Sequence, residues 1–500
     1  MRRVLVEFDF LGEVLGLVVD GSAVAVELPS GAFRSFVAGA EIGDLPHRSA
    51  PIIGAGIGDQ SVSITLSVGV YQSWGLRRTA PIQLARCRVY WWPEGEVLRD
   101  EHELFSGIVR DPEWVLGPDG EGSVSFSVVP ARRSDDVAFP PFLVGDTGRF
   151  TAAPSDALSY AVPVVYGAAK GLPLVAVSDV TVDPIRLLIS CHRIQSSTVQ
   201  IARGGANVGV PVAVAYDRDG LGGIYGYCLI SLADYTAGAD LYLVDVEGWA
   251  EGGRAVDRLG DVMEHAFRTY GQASWYELDR PRVEAAKSRL NRLAVALFAN
   301  ERGDGTLMQF LRQRLGGQFP VAFSFAGGRL GWDAILFPRG SDLGFAVARI
   351  TYEQDTFERV GPTETSADDV LTDIDLAYGY NGAQPGTTAA LSFTPETSAD
   401  SRRASTRWGR SPILSVDAPD IGDSDSAYVL LADIAIKSSR VRHRVEYHGL
   451  PESFYFLPLA SIVEVTDPDL GWQNEPCIIE AVEPRKDGLV DLVLVTADGQ

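Results

Sequence analysis

The chain of 500 residues carries 66 acidic against 43 basic side chains, for a formal net charge of -23, with 46% hydrophobic and 22% charged residues. That length exceeds what one core supports and implies roughly two to four domains. The charge argues against an unspecific grip on nucleic acid or anionic membrane, because a surface that repels phosphate cannot release its counterions.

Met1-Arg2-Arg3 opens like a signal peptide, but Glu7, Asp9 and Glu13 interrupt the apolar run, so no export signal is read. No apolar stretch reaches the ~20 residues a spanning helix needs, and the chain reads as soluble. Up to about residue 136 the pattern is one of short alternating runs broken by turns: 61–68 (SVSITLSV), 87–92 (CRVYWW), 104–110 (LFSGIVR) and 123–129 (SVSFSVV). Gly117-Pro118-Asp119-Gly120 supplies a turn between the last two, and the stretch reads as an all-β unit.

A second β-rich region follows Pro140-Pro141, with strand-like runs at 163–167, 183–190, 211–217 and 240–248. The period then changes, since Val256, Leu259, Val262, Met263, Phe267 and Tyr270 recur at helical spacing ahead of a capping Gly271. Further helices are expected over 281–300 and 307–315, then two short strands, 321–325 and 330–337, joined by Gly327-Gly328. Strand pattern resumes at 345 (FAVARITYE). Gly386-Thr387-Thr388 and the Ser, Thr and Asp-rich 396–405 read as exposed loops. A helix begins after an Asp423 or Ser424 cap, with Asp425 in its first turn, Lys437 in its last, and Leu430, Leu431 and Ile434 on its apolar side. The strand 440–449 (RVRHRVEYHG) leads to a closing hairpin, 477–483 and 489–495, across the turn 484–488.

Chemistry is sparse. Cys87, Cys191, Cys228 and Cys477 show no CxxC spacing and read as buried free thiols made in a reducing cytoplasm. His443 and His448 fall on opposite faces of a strand, and no other histidine pair has ligand spacing, so no metal or other cofactor is expected. Cys191-His192 are adjacent in a strand and point apart, which argues against a thiol nucleophile with its base. DGLGGIYG at 219–226 imitates a phosphate loop, but a strand follows where a helix is required, so a hairpin turn is read. The carboxylates read as solvated surface, although so many allow a glycosidase-like pair by chance. Arg440, Arg442 and Arg444 read as one face of one strand, with Val441, Val445 and Tyr447 on the other. That basic stripe, and a second cluster at Arg402, Arg403, Arg407 and Arg410, is either paired surface or a docking face for an acidic neighbour.

The order ASTRWGRSPILSVDAPDIGDSDSAYVLLADIAIKSSRVRHRVEYHGLPESFYFLPLASIVEVTDPDLG, closed by the terminal hairpin, resembles the C-terminal part of tail hub proteins of tailed bacteriophages: baseplate hub and tail-tip attachment proteins. LFSGIV at 104–109 is similar to a recurrent strand of that family's first barrel, and 307–337 resembles its small middle domain. The Gly-Asp usual before the last strand group is replaced here by Leu459-Ala460-Ser461. The resemblance implies a mainly β fold with two tube-like β domains, an intervening β-rich region and a small α+β domain. The limits are 1–140, 141–250, 251–344 and 345–500, the terminal hairpin being the closing pair of a barrel. It further implies a non-enzymatic virion protein, made in the host cytoplasm and assembled as a homotrimeric hub ring at the distal tail. Such a ring adapts a six-fold tube to three-fold tip components and lets DNA pass through an acidic lumen without binding it. Its partners are then tail tube or distal tail protein, tape-measure protein, and fibre or spike proteins. The competing reading is an extracellular polysaccharide-binding or glycoside-cleaving β-protein.

Overall fold

A computed structural model describes residues 2–10, 13–19, 21–45, 48–49, 61–67, 83–116, 122–130, 137–148, 150–196, 201–203, 206–208, 214–218, 224–233, 235, 242–251, 254–273, 277–301, 305–324, 329–338, 346–353, 357–364, 370–381, 384–409 and 413–497. The turns at 117–120 and Gly327-Gly328, residues 219–223 of the glycine-rich stretch, and Arg410 lie outside them.

The fold is mainly β, as the sequence leads one to expect. The N-terminal strands are β1 (Arg2–Phe10), β2 (Glu13–Val19), β3 (Val24–Glu27), β4 (Phe33–Ile42), β5 (Arg48–Ser49), β6 (Val62–Ser67), β7 (Arg86–Pro93), β8 (Glu103–Leu116) and β9 (Gly122–Val129). Pairing runs β2-β1-β7-β8-β9-β6-β4, and a parallel β2–β4 contact returns to the start, so seven strands close a barrel with β3 outside it. Alternation explains the closure: Val62, Ile64 and Leu66 of β6 and Val124, Phe126 and Val128 of β9 point inward, while Ser63, Ser67, Ser125 and Ser127 do not. Gly107 in the LFSGIV run lets β8 approach β9, since a Cβ there falls 2.2 Å from the Val129 carbonyl oxygen.

The middle strands are β10 (Val164–Tyr166), β11 (Ala168–Pro173), β12 (Val175–Ala176), β13 (Ile185–Ser190), β14 (Ile194–Ser196), β15 (Ile201–Arg203), β16 (Ala206–Val208), β17 (Val214–Arg218), β18 (Ile224–Ile230), β19 (Leu243–Glu251) and β20 (Arg254–Ala255). Helix α1 (Leu259–His265) runs on as a π-helical turn to Tyr270, where Gly271 ends it in a right-handed conformation. Helix α2 (Arg280–Leu290) is shorter than the expected 281–300. Asn291 ends it and accepts the Asp261 N–H, and β21 (Leu297–Ala299) then pairs with β10. Helix α3 (Leu307–Phe310) opens on a Thr306–Gln309 capping box and continues as a π-helical turn to Gly316, followed by the hairpin β22 (Val321–Ser324) and β23 (Gly331–Ala334).

Next come β24 (Ala348–Thr351), β25 (Glu358–Glu364), β26 (Asp373–Asn381), β27 (Gln384–Phe393), α4 (Ala399–Trp408), β28 (Ile413–Ala418), α5 (Ser424–Ser438), β29 (His443–Leu450), β30 (Ile462–Asp467), β31 (Trp472–Pro484) and β32 (Val490–Thr496). Two expected loops prove to be elements. Residues 386–388 lie inside β27, paired to β26, and 396–405 enters α4, whose first turn is capped by Ser398 accepting the Ser401 N–H. A polar composition misreads as loop when its serines are doing the capping.

The C-terminal sheet runs β24-β30-β31-β32-β29-β25. The terminal hairpin therefore lies at its centre and is not the closing pair of a barrel; among the described residues β24 and β25 are the edges. Strand β5 adds beside β31 through Arg48 and Ser49, so the N-terminal part reaches into the C-terminal sheet. One core contains Val4, Leu17, Ile64 and Phe126 of the barrel together with Tyr447, Val463, Ile479 and Leu492 of that sheet. A second core gathers α1, α2, α3, α5 and the β22–β23 hairpin with Ile374 and Leu376 of β26, and a third lies among β11, β13, β18 and β19. Among the described residues, no helix is long and apolar enough to cross a membrane.

Candidate functional site

The arginines singled out in the sequence do not share a strand face. β29 begins only at His443, and Arg440 and Arg442 lie in the bend and irregular chain that lead into it from α5. Arg442 is 4% exposed: its guanidinium donates to the Thr496 carbonyl at 2.8 Å, to Ala497 at 2.7 Å and to Ile436 at 2.8 Å, and it lies over the Phe337 ring at 4.4 Å. It therefore ties the end of α5 to the end of β32, because carbonyls left over where a helix and a strand stop need a donor. Arg440 pairs with Asp400 at 3.1 Å, and Arg444 with Glu446 at 2.6 Å and Glu480 at 2.9 Å, all partly exposed. Of the second cluster, Arg402 donates to the Pro395 and Glu396 carbonyls, Arg403 faces Asp400 at 3.8 Å, and Arg407 covers Trp408.

A cluster of buried charges lies where the N-terminal strand β5, the α2–β23 unit and the 452–459 segment converge. Arg48 is 3% and Asp333 1% exposed. Arg48 donates to the Tyr455 carbonyl, lies over the Tyr455 ring, and stands 3.7 Å from Asp333. Arg282 reaches Asp333 at 3.5 Å, Asp279 at 3.4 Å, the Ser324 hydroxyl, and the Phe456 carbonyl at 2.5 Å; Asp333 also accepts the Leu459 N–H at 3.2 Å. Burial pushes the Arg48 guanidinium down to about 10, the like charge of Arg282 adds to that, and Asp333 opposes it. Two comparable clamps lie elsewhere. Arg314 holds the buried Asp420 through two hydrogen bonds of 2.8 and 3.0 Å, assisted by Gln318. Asp467 is held by Arg359 and by the Tyr447 hydroxyl at 3.0 Å. None of these carboxylates was legible as special, although the charged Asp333 inside the apolar GWDAILF run is the kind of signal a buried pair leaves.

Cys191 and His192 are both buried, and neither is poised for chemistry. The His192 Nε2 accepts the Val165 N–H at 2.9 Å, and its Nδ1 lies 2.9 Å from the Arg193 carbonyl oxygen, which fixes a neutral ring donating through Nδ1. Burial pushes the Cys191 thiol up to about 12 and His192 down to about 3. His265, which faces the Tyr166 hydroxyl at 2.9 Å, is pushed down to about 4 by the same cause. A thiolate and its imidazolium partner are thus disfavoured together. Among the described residues no group of three or more His, Cys, Asp or Glu side chains could hold a metal ion. An open cleft of about 560 Å³ lies between Asp44, Leu45 and the hairpin turn 483–487. Of the charges that line it, Arg485 pairs with Asp487 at 2.8 Å.

No protein-family model and no curated protein matches the chain. Among solved structures it is similar to the tail protein from Neisseria meningitidis MC58 at 10% identity, covering 99% of this chain and 96% of that one, with a TM-score of 0.34. It is similar to the 43 kDa tail protein of prophage MuSo2 from Shewanella oneidensis at 10% identity, covering 99% and 98%, with a TM-score of 0.34. A prophage tail protein from Listeria monocytogenes EGD-e gives 8% identity, 95% and 94% coverage and a TM-score of 0.35.

Proposed function

We infer that this chain is a structural, non-enzymatic component of a phage tail, a hub subunit at the distal end. The observation that carries the reading is the core shared by the N-terminal barrel and the C-terminal sheet, with β5 laid against β31 and the Arg48–Asp333–Arg282 cluster sealed between them. Two β units, far apart in sequence and packed on one core, form a stiff block, which is what a wall element under load requires. The motif order of the last hundred or so residues adds the hub assignment by resemblance. In this reading three copies form a ring that adapts a six-fold tube to three-fold tip components, meeting tail tube or distal tail protein, tape-measure protein and fibre or spike proteins. The charge of -23 fits a lumen through which DNA passes without sticking. The units 1–140, 141–250, 251–344 and 345–500 are the proposed working parts.

Imaging of the purified protein by electron microscopy, with its mass in solution, tests this: rings of three copies, and antibody labelling at the tail tip of particles, are expected. Polysaccharide turnover abolished by substituting one Asp or Glu would overturn it in favour of the glycoside-cleaving alternative.

A further inference from the structure

Strand β10 lies between two of the cores. Val164 and Tyr166 belong to the second core and Val165 to the third, and the chain through the corner between β13 and β14 divides in the same way, Cys191 to the second and Ile194 to the third. β10 pairs with β21 through backbone groups, but the Val165 N–H is taken by a side chain, the His192 Nε2 at 2.9 Å, in a residue that is 2% exposed. The other ring nitrogen is committed to the Arg193 carbonyl at 2.9 Å. A second link between corner and strand, from the Cys191 N–H to the Pro163 carbonyl at 2.9 Å, does not titrate.

A backbone N–H can only donate, so His192 must present a bare nitrogen to it. A proton taken from water at Nε2 sets N–H against N–H, and the contact is lost. His265 differs in kind. Its Nδ1 faces the Tyr166 hydroxyl at 2.9 Å and its Nε2 the Thr269 hydroxyl at 3.2 Å, and a hydroxyl accepts as readily as it donates, so a second proton breaks neither bond. Around the corner stand Cys191 and the exposed Arg193 on its own chain, Tyr166 on β10, His265 and Tyr270 from α1 and the turn that prolongs it, Tyr216 from β17, and Tyr225 and Tyr227 from β18. Glu247 of β19 lies opposite Ser196. Burial disfavours the charged His192 ring most; the Arg193 carbonyl favours it, and a charge on His265 opposes it, which Glu264 in turn favours and Arg268 disfavours.

We propose that the His192–Val165 contact is an acid-operated latch: a proton taken up at His192 forces the corner between β13 and β14 off β10 and parts the second core from the third along this seam, ahead of general unfolding. The sign follows from the two states of the ring. Closed, it resists the proton; opened into water, it titrates near its ordinary value of about 6.5. The open form therefore binds more protons, so the latch is fully closed above that pH and loosens as pH falls below it. β10 itself stays in place through its backbone pairs to β21, which do not titrate. The latch rests on this contact alone and does not require the tail reading.

The test is hydrogen exchange of the full chain, read by mass spectrometry at pH 7.5, 6 and 4.5 and corrected for the intrinsic pH dependence of exchange, for wild type, His192→Gln and His265→Gln. Gln offers a carbonyl oxygen where Nε2 stood and does not titrate. Expected in the wild type is a loss of protection of about 100-fold between pH 7.5 and 4.5, tenfold for each of the two units below about 6.5. It is confined to peptides covering 163–166 and 189–194, with the first core still protected. His192→Gln is expected to abolish the loss and His265→Gln to keep it. Wild-type protection that does not change with pH overturns the latch, as does a loss spread evenly over all three cores, which is global unfolding. A loss that survives in His192→Gln and disappears in His265→Gln also overturns it, by assigning the proton to His265. Melting temperatures show whether each variant folds; if His192→Gln does not, the wild-type profile and His265→Gln still decide.

Discussion

The three neighbouring arginines have different fates, and burial decides which matter for folding. Arg442 spends its donors on three backbone carbonyls out of contact with water, so Arg442→Gln is expected to destabilise the free chain by about 3 kcal/mol, chiefly by stranding those acceptors. Arg440 and Arg444 keep partly exposed carboxylate partners, and their Gln variants should each lose only about 0–1 kcal/mol. Urea unfolding of the three single variants checks the order; equal losses would mean that the Arg442 contacts do not form. Acid sensitivity is a second residue-scale property. His192 is held neutral in the fold, with its value pushed down to about 3, whereas in the unfolded chain it protonates near its ordinary value of about 6.5. Between those limits the unfolded chain binds the extra proton, so stability is full above about pH 6.5 and falls, by up to about 1.4 kcal/mol per pH unit, as pH drops toward 3. His192→Gln, which preserves an acceptor for the Val165 N–H, is expected to flatten the pH dependence of the urea midpoint between pH 7 and 4. An unchanged slope would show that His192 is not the group responsible.

At the scale of elements, the ends of helices are written locally, and their packing is not. Asp423 accepts the Ser426 N–H at 2.7 Å at the start of α5, and Asp423→Ala is expected to cost about 1 kcal/mol in thermal or urea unfolding. A neutral outcome would mean that Ser424 or water takes over the cap. The same chemistry acts at Ser398, where a polar stretch reads as loop because its cap and first turn have the composition of a turn. Helix α2 stops ten residues before 300, since β21 is claimed by β10, a partner 133 residues earlier by the Val164–Leu297 starts of the two strands. Local pattern cannot reveal a competition of that kind.

At the scale of the molecule, the Arg48–Asp333–Arg282 cluster makes the N-terminal barrel, the α2–β23 unit and the C-terminal sheet depend on one another. Asp333→Asn leaves two buried guanidiniums short of their counter-charge and is expected to cost about 3–5 kcal/mol. The whole-molecule signature is cooperativity: calorimetry should give coincident unfolding of barrel and sheet in the wild type, and separated transitions in Asp333→Asn and Arg48→Met. Separate transitions already present in the wild type would show that the shared core does not couple the two units.

By itself the sequence determined the β-rich character, the helices at 259 and 424 and the terminal hairpin, because period, capping residues and turn residues act within a few positions of one another. Tertiary structure alone decided that the terminal hairpin lies at the centre of its sheet, that β5 crosses to β31, and that Arg442 is buried while its neighbours are not. Each of these depends on which distant strand arrives alongside. Strand pairing is made by backbone groups that every residue carries, so the partner is chosen by the packing of whole faces, which no local stretch records.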